Sequence, residues 1–242
     1  MENWQSSIEE ISAGHTKSES SHRREICIAG RWLSERGFVP ATDGNLSVRL
    51  DAARILSTPA GACKGRLDPA CLVITDLAGR QLQGSQKPSS ELAMHLMIYQ
   101  RRPDVNAICH AHPSVATGFA AAGVSLDRPL LAESIATLGP VPVAPYATPG
   151  TSDLADVLEP FAANYEAILM ANHGVVTFGP DLLTAFQRME IVEHFAKVTL
   201  VTQLLGRQSL LSDDEVENLR RSKQGCSSLF DSAEASLRLK NS

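Results

Sequence analysis

AILMANHGVVTFG, residues 167–179, reads as an apolar run, a polar turn and a second apolar run, and from Pro180 to about Leu205 apolar positions then recur at helical spacing. Short apolar runs bounded by turn residues predict buried strands, so this stretch specifies a strand, its partner and a long helix. The same alternation continues upstream. Ala107–His112 reads as a short strand, Pro113 opens a helix of small residues (SVATGFAAAG), and VPVAPY (141–146) is a further strand. Ser152 or Asp153 is placed to cap a helix reaching Ala163.

Before that core, Asn45–Arg49, Arg54–Ser57 and Leu72–Thr75 read as antiparallel strands and hairpins, the last closed by a DLAGR turn. Ser89 and Ser90 follow Pro88 as candidate N-caps for a helix starting near Glu91, with Leu92, Leu96 and Tyr99 as its core stripe. Ile26, Ala29, Trp32 and Leu33 predict an earlier helix from Arg23, ended by Gly37, and a last short helix falls near Asp213–Arg220. The polar, Ser-rich opening reads as a frayed leader or a first helical turn over residues 1–22, followed by one domain over 23–220 and a tail over 221–242. Strands cluster centrally without strict βαβ order, which predicts a single α/β domain whose mixed or mainly antiparallel sheet is covered by helices in three layers.

Composition narrows the function. The 242 residues are 43% hydrophobic and 20% charged with a net charge of −5, a globular balance without the basic footprint of a nucleic-acid binder. Only 2 Trp, 3 Tyr and 7 Phe are present, which argues against base-stacking platforms and leaves polar chemistry to form the site. Cys27, Cys63, Cys71, Cys109 and Cys226 form no CxxC pair, so a reducing, cytoplasmic setting is expected. No apolar run approaches the roughly 20 residues of a membrane-spanning helix, so no membrane partner is expected.

The strongest chemical signal is HAHP. His110 and His112 stand two apart near a strand end, where alternate side chains share one face, so they are either a metal-binding pair or two half-exposed histidines. His173, between a buried strand and Gly174, supplies a third imidazole at a turn, giving the three-ligand, open-position set of a catalytic metal such as Zn²⁺. His15, His22, His95 and His194 occupy polar or helical settings and are read as structural. Glu91, at a helix start after KPSS, is a first-turn glutamate or an acid/base beside an anion cradle formed with Ser89, Ser90 and the Gly44-Asn45 turn.

Taken in order, ATDGNLSVR (41–49), TPAG (58–61), KPSSE (87–91), YQRRPDVNAICHAH (99–112), PVAPYATPGT (142–151) and ANHGVV (171–176) resemble the class II aldolase/adducin family, on its L-fuculose-phosphate aldolase branch. The resemblance covers about residues 23–205. It implies that His110, His112 and His173 bind Zn²⁺ and that Glu91 is a fourth ligand at rest and the acid/base when substrate displaces it. It also implies that Gly44, Asn45, Gly61, Ser89 and Ser90 hold a substrate phosphate. The implied reaction is retro-aldol cleavage of a ketose 1-phosphate to dihydroxyacetone phosphate and a short aldehyde, in a homotetramer with interfacial sites.

Two positions depart from that branch. Ala60 stands where it has a threonine in the phosphate loop, and Glu133 where it has the tyrosine that protonates the leaving aldehyde. Glu133 is accordingly either the expected proton donor or a solvated glutamate. Among other activities on this scaffold, glutamate after the paired serines disfavours epimerases, Ser90 disfavours the decarboxylases that carry lysine there, and three retained histidines disfavour the metal-free adducin heads. A dehydratase stays open. The cradle so read uses neutral hydroxyls and amides, with no cluster of Lys or Arg.

Overall fold

A computed structural model describes residues 17–221, so the first 16 residues of the expected leader and the tail from 222 lie outside the described residues. Helix α1 (Glu19–Glu35) begins inside the Ser-rich segment expected to be a leader, because Ser18 caps it through Ser21 N–H at 3.2 Å and Arg23 bonds Glu19 one turn back. Its end agrees with the sequence: Gly37 takes φ +70°, and Phe38 N–H returns to the Leu33 carbonyl at 2.9 Å.

The strands are β1 (Asn45–Arg49), β2 (Arg54–Ser57), β3 (Val73–Asp76), β4 (Gln81–Gln83), β5 (Ala107–Ala111), β6 (Val143–Ala144), β7 (Ala167–Met170) and β8 (Gly174–Gly179). They form one sheet in the order β4-β3-β2-β1-β5-β8-β7-β6, antiparallel throughout except for the parallel β6–β7 edge. Helices α2 (Leu92–Arg101), α3 (Ser114–Ala121), α4 (Ala132–Thr137), α5 (Ser152–Ala162) and α6 (Leu182–Leu204) complete the named elements, with a last helical stretch over 213–221. No helix among the described residues is long and apolar enough to cross a membrane.

Strand alternation sorts the core into two layers. Ala107, Cys109, Leu169 and Val175 face α1, α3 and α6, packing with Ile26, Phe119, Phe186 and Met189. Ile108, Ile168, Val176 and Phe178 face α2 and α5, packing with Leu92, Leu96, Tyr99 and Leu158. The three-layer α/β expectation therefore holds. The sequence missed β4, whose three residues are all exposed, and α4, which has little apolar periodicity.

Candidate active site

Chain geometry aims each histidine. His110 follows Ile108 by two on β5, so it points toward the α2 layer, fully buried and paired in register with Asn45 of β1. Gly44 permits that pairing: it takes φ +72°, and a Cβ there would lie 2.6 Å from the His110 carbonyl oxygen. His112 lies just past the strand, its backbone N–H bonded to the Phe38 carbonyl at 2.8 Å. The β7–β8 turn presents His173, with the left-handed backbone carried by Asn172 at φ +56°. Gly174 is required for space, since a Cβ there would stand 2.4 Å from His112 Cδ2.

The ligand atoms of His110, His112 and His173 all lie within 4.8 Å of one another. Glu91 closes the group, with Oε1 2.9 Å from His173 Nε2 and Oε2 3.2 Å from His110 Nε2. His110 Nδ1 lies 2.9 Å from the Val175 carbonyl, an acceptor, so the proton sits on Nδ1 and Nε2 carries a lone pair. His112 Nδ1 faces the Asp43 carboxylate at 3.2 Å, which fixes the same tautomer. Two Nε2 lone pairs then face each other 3.1 Å apart. Glu91 Oε1, though close to His173, accepts no hydrogen bond, and His173 Nδ1 is also buried without a partner. Converging lone pairs with no shared proton are satisfied by a cation between them, so the residues fit a divalent ion held by three imidazoles and a carboxylate.

Protonation follows from the surroundings. Burial, reinforced by the neighbouring imidazoles, pushes His112 down to about 4, which keeps it a neutral donor at pH 7. Burial alone would raise the Glu91 carboxyl, but the His110 and His173 imidazoles outweigh it and hold Glu91 well below the usual carboxylate range. The resting glutamate is an anion.

The structure joins some of the expected phosphate positions directly to this centre. Asn45 Nδ2 donates to Glu91 Oε2 at 2.8 Å and to Ser89 Oγ at 3.2 Å. Ser89 caps no helix; instead its Oγ accepts from Glu91 N–H at 3.3 Å, and α2 starts after Glu91 without a side-chain cap. Gly61 and Ser90 are exposed, Ser90 lying where a Gly150 Cβ would approach it at 3.2 Å. Glu133 is exposed on the first turn of α4, and among the described residues it makes no hydrogen bond or ion pair with the histidines or Glu91.

Several contributors escaped the sequence reading. Asp43 orients His112, and its place beside Gly44 in ATDGN was the available clue. Glu193 of α6 is buried and accepts from Val115 N–H at 3.3 Å and Ala116 N–H at 2.9 Å, capping the helix that follows HAHP from a different element. His95 is buried with Nδ1 2.6 Å from Ser47 Oγ, which in turn lies 2.9 Å from the Tyr99 hydroxyl. It lies in a helical setting, as expected, within a buried polar chain.

Comparison with known proteins agrees with this geometry. Residues 24–200 match the family model described as the class II aldolase and adducin N-terminal domain, and the chain belongs to that family. It is 36% identical over 205 residues to a 5-deoxy-D-ribulose 1-phosphate aldolase of Bacillus thuringiensis, covering 84% of this chain and 95% of that protein. It is 35% identical over 204 residues to a 3-oxo-tetronate 4-phosphate decarboxylase of Pectobacterium atrosepticum, covering 83% and 93%. A solved L-fuculose 1-phosphate aldolase superposes with a TM-score of 0.79 at 32% identity, over 89% of this chain and 99% of that one.

Proposed function

We propose that the protein is a divalent-metal-dependent lyase that cleaves a deoxyketose 1-phosphate to dihydroxyacetone phosphate and a short aldehyde. The observation carrying this reading is the convergence of His110, His112, His173 and Glu91 with lone pairs unshared between them. A bound ion such as Zn²⁺ supplies Lewis-acid stabilisation of negative charge on substrate oxygens, so no lysine Schiff base is required.

The chain's own groups do the rest. Ser89, Ser90 and the Gly44 and Gly61 loops hold the phosphate and fix the carbon skeleton. Asn45 links that cradle to the base: its amide is shared between Ser89 and Glu91, so a phosphate that draws the amide away loosens Glu91 from its resting position. Glu91, an anion at rest, takes the proton from a hydroxyl of the three-carbon phosphate fragment and, once the carbon–carbon bond has broken and its electron pair has passed to that fragment as an enediolate, returns the proton to carbon. Glu133, the proton donor when the reaction runs toward condensation, in cleavage takes the proton from the hydroxyl that becomes the aldehyde oxygen, and that proton replaces, through solvent, the one Glu91 took from oxygen. Exposed and without a hydrogen bond or ion pair to the cluster of its own chain, Glu133 acts from a neighbouring protomer of a cytoplasmic homotetramer in this reading.

The substrate named for the Bacillus thuringiensis relative makes 5-deoxyribulose 1-phosphate the first compound to test, ahead of L-fuculose 1-phosphate. Decarboxylation of a 3-oxo-tetronate 4-phosphate is the second reading, favoured by the Pectobacterium atrosepticum relative and opposed by Ser90. Incubating zinc-loaded protein with each compound and weighing the products separates the two. Dihydroxyacetone phosphate with an aldehyde supports the aldolase, and loss of carbon dioxide supports the decarboxylase.

A further inference from the structure

Lys64 is the one lysine or arginine among the described residues that is buried, at 2% exposure. It follows the TPAG turn in the short 3₁₀ segment Lys64–Arg66, which lies flush on α1. A Cβ on Gly30 would stand 2.6 Å from the Lys64 carbonyl oxygen, and one on Gly65 would stand 2.6 Å from Ser34 Oγ, so two glycines set the backbone's depth. From there the side chain reaches inward, and Nζ donates to the Thr42 and Ala62 carbonyls, each at 2.6 Å. Thr42 precedes the Asp43-Gly44-Asn45 turn and Ala62 follows Gly61, so one ammonium ties together the two loops of the phosphate cradle.

Its charge is not neutralised where it sits. No described carboxylate forms an ion pair with Nζ, and both of its partners are neutral carbonyls. A buried ammonium bonded only to carbonyls is unfavourable unless an anion joins it. Burial pushes the Lys64 pKa down, while the fields of Asp43 and Glu91 oppose that. Two N–H groups are committed and a third is unassigned. Every other donor read into the cradle is a hydroxyl or an amide, so Lys64 is the cation these loops share.

We infer that Lys64 sets the phosphate affinity of this site, as a positioning residue that pins the two loops and as the fixed positive charge facing the substrate's phosphate. The inference rests on reading these loops as the phosphate site.

The test uses inorganic phosphate as the probe, titrated calorimetrically into the zinc-loaded full chain and three variants, K64Q, K64R and S89A. Glutamine keeps an amide donor for the carbonyls and removes the charge; arginine keeps the charge. Expected is a loss of at least about tenfold in phosphate affinity for K64Q, partial rescue in K64R and unchanged zinc stoichiometry in both. A purely structural lysine would lower the melting temperature of K64Q without moving phosphate affinity, and that result overturns the inference. Should K64Q fail to fold, ¹⁵N spectra of lysine-labelled wild type decide: phosphate must shift the one Nζ signal missing from K64R, and an unmoved signal is contrary. If S89A weakens phosphate binding and K64Q does not, only the role of Lys64 falls. If wild type binds no phosphate, the cradle reading falls with it.

Discussion

Asn45 Nδ2 lies 2.8 Å from Glu91 Oε2, and the same amide reaches Ser89 Oγ at 3.2 Å, so the base and the phosphate cradle share one donor. N45A removes that link. A hydrogen bond to a charged group contributes about 1.5–3 kcal/mol, so kcat/KM is expected to fall about 10- to 100-fold, with KM for the sugar phosphate raised and zinc content unchanged. Steady-state kinetics alongside metal analysis checks both halves. An unchanged KM would separate Asn45 from the phosphate.

Gly174 gives the metal centre a steric test that touches no ligand. The methyl of G174A would stand 2.4 Å from His112 Cδ2 and 2.8 Å from the Ala111 carbonyl oxygen, displacing the imidazole. Zinc affinity is expected to drop by at least about tenfold while the far-ultraviolet circular dichroism spectrum keeps its native shape. H110A, which removes a ligand outright, is expected to purify without stoichiometric zinc.

His95 makes folding sensitive to acid. Burial pushes its pKa down to about 3, whereas an unfolded histidine titrates near 6.5. Below about pH 6.5 the unfolded chain binds a proton that the folded chain refuses, so stability present at neutral pH is lost as pH falls toward the folded value. At pH 5 the loss is about 2 kcal/mol. Denaturant titrations of metal-free wild type and H95Q at pH 7 and pH 5 measure it: the stability difference between them should narrow by that amount, and a constant difference would contradict the assignment.

Glu193 holds α3 from another helix, its carboxylate accepting two backbone N–H groups at the start of the helix behind His112. E193A is expected to destabilise the fold by about 1–3 kcal/mol, read as a lowered denaturation midpoint with an unchanged m-value. E193Q, which keeps one acceptor oxygen, should recover part of the loss.

What the sequence conveyed followed the range of its signals. Local patterns placed most elements: the apolar runs around Ala167–Gly179, the Gly37 stop and the long α6 all appear close to where the spacing puts them. The His110, His112 and His173 set was legible because alternation on one strand and a glycine turn are themselves local facts. Contributors that depend on distant segments were not. Glu193 reads as an ordinary helical residue until α6 crosses α3, and Lys64 reads as a surface lysine until the Gly30 and Gly65 contacts sink its backbone against α1. The start of α1 was misplaced because Ser18, Ser20 and Ser21 look like leader composition, although Ser18 is a helix cap.

The central claim, metal-dependent cleavage of a ketose phosphate at the Glu91–histidine centre, is tested most directly by dihydroxyacetone phosphate release from 5-deoxyribulose 1-phosphate. The assay is run on protein as purified, after chelation, and after zinc is restored. The expected result is release that disappears on chelation, returns with zinc and is lost in E91Q despite retained substrate binding. Release that persists in the chelated protein, or none from any ketose 1-phosphate after zinc loading, would contradict the account.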